Sequence, residues 1–131
     1  YEGALLDYSL AIKVKPEYHL AYNNRGTVKY EMGKYKEAII DFGKAIKINP
    51  KYAYAYNNRA AAKFKLKNYK GAIYDCTMAI KINSDYGYAY LNRGIAKEMV
   101  RDADGACKDW KKANELGIKT GKTYVERDCY E

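Results

Sequence analysis

Several residue types are scarce in this 131-residue chain, and each scarcity excludes a class of function. There is one histidine, His19, and the three cysteines, Cys76, Cys107 and Cys129, form no Cys-x-x-Cys pair. Because a structural zinc site needs about four Cys or His ligands in close sequence pairs, we expect no metal and no cofactor. Cys76 and Cys107 are expected to be small buried side chains, and reduced cysteines favour a reducing, cytoplasmic setting.

Long apolar runs are also missing. No stretch approaches the roughly 20 apolar residues that a membrane-spanning helix needs. The chain begins with Tyr1 rather than methionine, inside a patterned segment. We therefore expect a piece of a longer protein, in which any upstream signal peptide would not be seen.

Motifs for catalysis are absent or incomplete. The segment 117–123, GIKTGKT, is similar to a phosphate-binding loop, but Leu116 stands where the first glycine is needed, and a helix rather than a strand is predicted before it. His19 has no Ser or Cys partner with which to act as a base. Asp102 and Asp104 lie at a predicted helix start, where capping explains them. We expect a protein that is not an enzyme.

What the chain does have is self-similarity at a period of 34 residues. A first segment occurs three times, as AYNNRGTVK at 21–29, AYNNRAAAK at 55–63 and AYLNRGIAK at 89–97. A second segment occurs four times, as YEGALLDYSLAIKVKP at 1–16, YKEAIIDFGKAIKINP at 35–50, YKGAIYDCTMAIKINS at 69–84 and, more weakly, ADGACKDWKKANELG at 103–117. Apolar residues recur at three- and four-residue steps, which predicts two amphipathic helices in each period.

Small side chains recur at fixed slots of both predicted helices. In the first helix they are Gly26, Ala60 and Gly94; in the second they are Ala4, Ala38, Ala72 and Ala106, and Ala11, Ala45, Ala79 and Ala113. Larger fillers alternate with them, namely Tyr8, Phe42, Cys76 and Trp110. Small slots let helix axes approach closely, and no single hairpin buries enough apolar surface alone. The hairpins are therefore predicted to stack into one continuous core.

These features resemble the tetratricopeptide repeat over residues 1–117. The remaining marks of the resemblance are the aromatic slot of the first helix (Tyr22, Tyr56, Tyr90), the tyrosine that opens the second (Tyr1, Tyr35, Tyr69), and Pro16 and Pro50. The resemblance implies an all-α fold, a right-handed α-α superhelix of helix hairpins. The implied units are the second half of a truncated repeat at 1–18, repeats at 19–52, 53–86 and 87–117, and a C-terminal capping helix at 118–131. Ile118, Val125 and Cys129 would supply the apolar side of that helix.

Charged residues occupy slots that are usually apolar in this family. Arg25, Arg59 and Arg93 replace an aliphatic residue, and Lys29, Lys63 and Lys97 replace an aromatic one. Aspartate recurs on the second helices at Asp7, Asp41, Asp75 and Asp109. Equal spacing of arginines and aspartates predicts a ladder of Arg–Asp pairs between packed helices, with the arginine stems covering apolar surface.

The resemblance also implies that the first helices line a concave groove in which an extended peptide binds. The candidate contacts are a column of Asn24, Asn58 and Asn92, the aromatic residues Tyr54 and Tyr88, and the flanking residues Asn23, Asn57 and Leu91. An asparagine amide pairs with the main chain of an extended peptide, and tyrosine gives contact area at little entropic cost. The alternative is that the asparagines only tolerate solvent or tie helices together.

Family members that grip chaperone C-terminal carboxylates use added lysines and arginines in the groove. Here the corresponding slots hold Asn23, Thr27, Tyr54, Tyr88 and Asn92, and only Asn58 matches. That activity is therefore disfavoured, and the sequence favours a scaffold for another protein or peptide ligand.

Two alternatives remain open for partners. The half-repeat at the start leaves an apolar face uncovered, made of Tyr1, Ala4, Leu5, Tyr8 and Ile12. This predicts that a preceding N-terminal helix or another chain covers it, the latter as a homo-oligomer or a self-assembling superhelix segment. The net charge is +8, concentrated in residues 1–97, so nucleic-acid binding is the second alternative. It ranks lower, because most tyrosines occupy predicted core slots and Lys13, Lys47 and Lys81 are predicted to face outwards.

Overall fold

The structure is a computed structural model that describes residues 1–129, and within that range it contains eight α-helices and no strand. The helices are α1 (Glu2–Val14), α2 (His19–Glu31), α3 (Tyr35–Ile48), α4 (Ala53–Lys65), α5 (Tyr69–Ile82), α6 (Gly87–Met99), α7 (Ala103–Glu115) and α8 (Lys119–Asp128). The predicted all-α superhelix is confirmed, and none of these helices is long and apolar enough to cross a membrane. Of the predicted capping helix, 130–131 lie outside the described residues.

The helices pair as three hairpins, α2–α3, α4–α5 and α6–α7, and each hairpin packs on the next through α3–α4 and α5–α6. The same stacking continues at both ends, where α1 packs on α2 and α8 packs on α7. Consecutive first helices also touch directly, α2 with α4 and α4 with α6. They form one continuous wall, and this wall carries the candidate groove.

Turns inside the hairpins need an unusual backbone conformation. Gly33, Lys67 and Arg101 occupy the same repeat position with φ angles of 81°, 64° and 66°. Only glycine adopts this left-handed region without steric cost. The next helix is then started by a side-chain cap in two of the three hairpins, since Asn68 and Asp102 accept a bond from the main chain at Gly71 and Gly105, each at 3.0 Å.

The small and large slots interlock as predicted. A Cβ atom added at Gly26 would lie 2.7 Å from the Phe42 ring, and one added at Gly94 would lie 2.5 Å from Trp110 Nε1. Phe42 and Trp110 are each 1% exposed. The absence of a side chain on the first helix is what lets the ring of the second helix fill the space between them.

The predicted ladder of ion pairs is confirmed. Arg25 donates to Asp41 through Nε and Nη2, both at 2.8 Å, and Lys29 Nζ lies 3.0 Å from the same carboxylate. The cluster recurs twice, as Arg59 and Lys63 with Asp75 and as Arg93 and Lys97 with Asp109. The aspartate side chains are 1%, 0% and 4% exposed. Each buried carboxylate is thus compensated by two cations, of which sequence analysis assigned only the arginine.

Helix α1 carries the same pattern without a partner for its aspartate. Asp7 is exposed and makes no ion pair with any residue of 1–129, whereas Asp41 at the equivalent slot is buried. Tyr8 is half-buried where Phe42 is fully buried. In the described structure, α1 therefore presents the face that a first helix covers elsewhere.

The interpretation of the cysteines was wrong in one respect. Cys76 is a buried free thiol, as expected, but Cys107 on α7 is joined by a disulfide to Cys129 at the end of α8. Their Cα atoms are 5.8 Å apart, within the reach of a disulfide. The packing of α8 on α7 brings them together across 22 residues. The argument from reduced cysteines to a reducing compartment therefore loses its basis.

The buried ion clusters predict a contrast between two equivalent aspartates. Asp75→Ala leaves Arg59 and Lys63 facing each other without their carboxylate, so we expect a loss of about 3 kcal/mol in the free energy of unfolding. Asp7→Ala is the matched control, with an expected change below about 0.5 kcal/mol because the side chain is exposed. Urea denaturation followed by circular dichroism measures both. Equal effects of the two substitutions would contradict the assignment.

The disulfide predicts that the end of α8 loosens on reduction. Trp110, the only tryptophan, is 1% exposed and packs against Tyr124 of α8 with ring centroids 5.0 Å apart. Cys129→Ala should lower stability by about 3 kcal/mol and make Trp110 fluorescence more sensitive to acrylamide. Dithiothreitol should do the same to the unsubstituted protein and nothing further to the variant. Unchanged quenching in both cases would show that the disulfide does not hold α8.

Candidate peptide-binding groove

The inner wall of α2, α4 and α6 presents the predicted amide column. Asn24 is exposed, and Asn58 and Asn92 are half-buried, so all three have atoms at the surface. Tyr54 and Tyr88, at the start of α4 and α6, are 56% and 57% exposed. These five predicted residues lie on accessible positions of consecutive first helices.

The other two predicted asparagines lie beneath this surface and hold it in place. Asn58 Nδ2 donates to Asn23 Oδ1 at 3.1 Å, and Asn92 Nδ2 donates to Asn57 Oδ1 at 3.0 Å. Asn57 Nδ2 in turn donates to the hydroxyl of Tyr86 at 3.1 Å. Asn23 and Asn57 are only 5% and 7% exposed. The asparagines therefore do tie successive first helices together, and the carbonyl oxygens of Asn58 and Asn92 take no part in these bonds.

Leu91 ends this series of amide pairs. It occupies the slot of Asn23 and Asn57 in the third first helix and is 7% exposed. Its side chain packs in a cluster with Ala106, Trp110 and Ala113, to which Tyr124 and Val125 of α8 also contribute. The structure thus places this predicted groove residue in the core beneath α8, where an apolar side chain meets apolar neighbours.

A row of aromatic rings crosses the starts of the first helices. His19 packs edge-on against Tyr52 at 5.0 Å, Tyr52 against Tyr54 at 5.5 Å, and Tyr54 against Tyr86 at 5.2 Å between ring centroids. Burial raises the pKa of Tyr86 to about 12, so its phenol stays protonated at neutral pH. Sequence analysis missed Tyr52 and Tyr86, although Tyr18, Tyr52 and Tyr86 repeat every 34 residues.

Two small cavities open along the wall at equivalent positions of consecutive hairpins. The first has a volume of about 90 Å³ and is lined by Thr27, Tyr30, Phe42, Asn58 and Ala61. The second has a volume of about 120 Å³ and is lined by Tyr30, Ala60, Ala61, Phe64, Ala72, Cys76, Asn92 and Ile95. No charged residue lines either cavity.

Reactive groups are not assembled at this wall. Within residues 1–129 there is no group of three His, Cys, Asp or Glu side chains that could hold a metal ion. Burial raises the pKa of the Cys76 thiol to about 12, so it stays protonated at neutral pH. The arrangement offers hydrogen bonds, aromatic faces and apolar recesses, which is the chemistry of binding.

Comparison with known proteins agrees with this repeat geometry. Residues 19–52 and 53–86 each match the tetratricopeptide repeat family, which together is more than half of the chain. The chain is a tetratricopeptide repeat protein. No curated protein sequence matches it.

Solved tetratricopeptide structures superpose on most of this array. The domain of Arabidopsis OM64 gives a TM-score of 0.81 at 32% sequence identity, covering 83% of this chain and 92% of that one. The second domain of human RPAP3, in complex with the HSP70 peptide SGPTIEEVD, gives 0.78 at 28% identity, covering 84% and 93%. MamA gives 0.85 at 23% identity, covering 98% and 69%, and supports the fold alone.

The buried amide pairs of this tetratricopeptide array predict a further contrast. Asn57→Ala removes the acceptor of Asn92 and the donor to Tyr86, so we expect a loss of about 2 kcal/mol in the free energy of unfolding. Asn24→Ala, on an exposed position, is the control and should change it by less than about 0.5 kcal/mol. Thermal and urea unfolding measure both variants. A neutral Asn57→Ala would remove the structural role given to these pairs.

Proposed function

We propose that the chain is a protein-interaction scaffold, without catalytic activity, that binds an extended segment of another protein along the wall of α2, α4 and α6. Asn24, Asn58 and Asn92 bind the main chain of the segment, and Tyr54 and Tyr88 pack on its side chains. The buried side chains of Asn23 and Asn57 hold the amides of Asn58 and Asn92 in place. Leu91 supports the same wall from the core.

The observation that carries this proposal is the pairing of two amides of the column, those of Asn58 and Asn92, with the buried amides of Asn23 and Asn57. A side chain that is already held by a neighbour loses little freedom when a ligand arrives, which lowers the entropic cost of binding. Asn58 and Asn92 use an N–H for this support, and their carbonyl oxygens are left to accept bonds from a peptide main chain. The spacing of these amides along successive helices suits an extended segment better than a compact ligand.

Related domains support peptide binding in general but suggest a different ligand here. The RPAP3 domain described above was solved with SGPTIEEVD, in which three of the last four residues are acidic. In this chain the slots for carboxylate-binding cations hold Asn23, Thr27, Tyr54, Tyr88 and Asn92. The two cavities of the wall are also uncharged. We therefore propose an uncharged, partly apolar segment as the ligand.

The test is selection of peptides from a displayed library, followed by calorimetry on the synthetic peptides. The double variant Asn58→Ala/Asn92→Ala should weaken binding of a selected peptide by more than roughly tenfold, since about 1 kcal/mol is lost with each of two hydrogen bonds. The matched control is Lys47→Ala/Lys81→Ala, on exposed positions of the second helices, which should leave the affinity unchanged.

Three results would contradict the proposal. One is unchanged affinity in the asparagine double variant. Another is preferential binding of SGPTIEEVD, which would show that acidic termini are recognised without the usual cations. The third is binding of single-stranded RNA that weakens steeply with salt while peptides fail to bind, which would favour the basic surface as the functional one.

A further inference from the structure

The second hairpin departs from the packing rule of its neighbours. In α2–α3 and α6–α7 a glycine on the first helix faces an aromatic ring on the second, as Gly26 with Phe42 and Gly94 with Trp110. In α4–α5 the same slots hold Ala60 and Cys76. Ala60 has one methyl group more than glycine, but Cys76 lacks the aromatic ring of Phe42 or Trp110. The side chains at these two slots therefore fill less volume in this hairpin than in the other two.

The missing volume coincides with the larger of the two cavities of the wall. Its lining includes Ala60, Ala72 and Cys76, which are at most 2% exposed, and the half-buried side chains of Phe64 and Ile95. At the equivalent place one hairpin earlier, the Phe42 ring stands where Cys76 stands here, and the cavity is smaller, at about 90 Å³. A cavity at this place therefore recurs in both hairpins, and its larger volume in the second follows from the Ala60–Cys76 pair.

We propose that this cavity, hereafter the Cys76 cavity, is an anchor subsite that receives the branched aliphatic side chain of a leucine or isoleucine in the bound segment. The inference rests on the proposed function, because it assumes that an extended segment follows the wall. It adds which side chain the segment presents, and where.

Size and chemistry both favour this occupant. The Cys76 cavity has a volume of about 120 Å³, and an apolar protein cavity of about 150 Å³ holds benzene with its six carbons. The four side-chain carbons of leucine or isoleucine suit the smaller space. No charge lines the cavity, so a charged side chain would lose its hydration without compensation there.

The rim of the cavity aligns the ligand. Asn92 belongs both to the lining and to the amide column, and its side chain is fixed by Asn57 at 3.0 Å. A main chain bound by Asn92 therefore passes the mouth of the cavity. A side chain that points towards the wall at this place enters between Phe64 and Ile95, whereas its neighbours in an extended chain point away.

The experiment restores the packing of the first hairpin in the second. The double variant Ala60→Gly/Cys76→Phe recreates the Gly26–Phe42 arrangement and places a ring in the cavity. Cys76→Met fills the same space with an adaptable side chain and leaves Ala60 unchanged. It is the second filling variant should the first lose its fold by circular dichroism. Cys76→Ala is the matched control, which enlarges the cavity.

The probes are two blocked pentapeptides, Ac-Ala-Ala-Leu-Ala-Ala-NH2 and its all-alanine counterpart, titrated at millimolar concentration and followed by the methyl NMR signals of Ala60, Ala72 and Ile95. We expect the leucine peptide to bind the unsubstituted protein roughly tenfold or more tightly than the alanine peptide, because three further carbons are buried. Both filling variants should reduce that preference at least threefold, because a ring in the place of Cys76 leaves only about 90 Å³ in the first hairpin, and Cys76→Ala should keep it.

The other outcomes distinguish failure of the anchor subsite from failure of the proposed function. If both peptides bind equally and binding depends on Asn92, the groove function stands and the anchor subsite is wrong. If the leucine preference is unchanged in the filling variants, the side chain binds elsewhere and the subsite is wrong. If neither peptide shifts any signal of the wall, the proposed function fails together with the subsite.

Discussion

The structure depends on a buried carboxylate that is held by two cations in every complete hairpin. Asp41, Asp75 and Asp109 are at most 4% exposed, and each one binds an arginine and a lysine of the preceding helix. An ionised side chain without such partners would be too costly to bury. The two helices can therefore pack closely only in the one register that brings all three charges together, and this register sets which residues of the first helix face the inner wall.

Along the inner wall, buried polar groups are also paired, here by hydrogen bonds between neutral amides. Amide pairs join successive first helices, with Asn58 bound to Asn23 and Asn92 bound to Asn57. The ion clusters thus fix the two helices within a hairpin, whereas the amide pairs fix one hairpin against the next. Because both sets repeat, the surface that results is regular, and its irregularities are informative. Leu91 ends the amide series under α8, and Cys76 leaves a larger cavity than Phe42 does one hairpin earlier.

Much of the fold could be predicted because repetition shows which residues share a slot. The slots of Gly26 and Phe42 recur every 34 residues at a constant distance from each other, so their packing against one another could be predicted from the period. The pairing of Arg59 with Asp75 could be predicted in the same way. The lysine partners were missed because Lys63 occupies a slot that is usually aromatic, and its long side chain reaches the carboxylate from there. Bonds between asparagines of different helices were considered, but the partners were not identified. Asn58 and Asn23 are 35 positions apart, so comparison at a shift of 34 does not align them.

The disulfide lay beyond this kind of reasoning altogether. Neither Cys107 nor Cys129 has a counterpart one period away, and only the packing of α8 on α7 brings them together. The Cys76 cavity was predictable in part. Sequence analysis placed Cys76 in the same slot as Phe42 and Trp110, but it did not predict that the smaller side chain leaves a larger cavity. Sequence repetition therefore predicts the features that all repeats share. It does not predict the features that occur in one repeat only, such as the disulfide and the larger cavity.

The central claim is that a peptide lies along the wall of α2, α4 and α6 and is bound by its amides. The most direct measurement is an NMR spectrum of the asparagine side-chain amides, recorded with and without a peptide selected for binding. The account predicts that the signals of Asn58 and Asn92 shift at saturation, while the backbone signals of Lys47 and Lys81 on the second helices stay in place. Shifts confined to the second helices, with the asparagine amides unchanged, would contradict it.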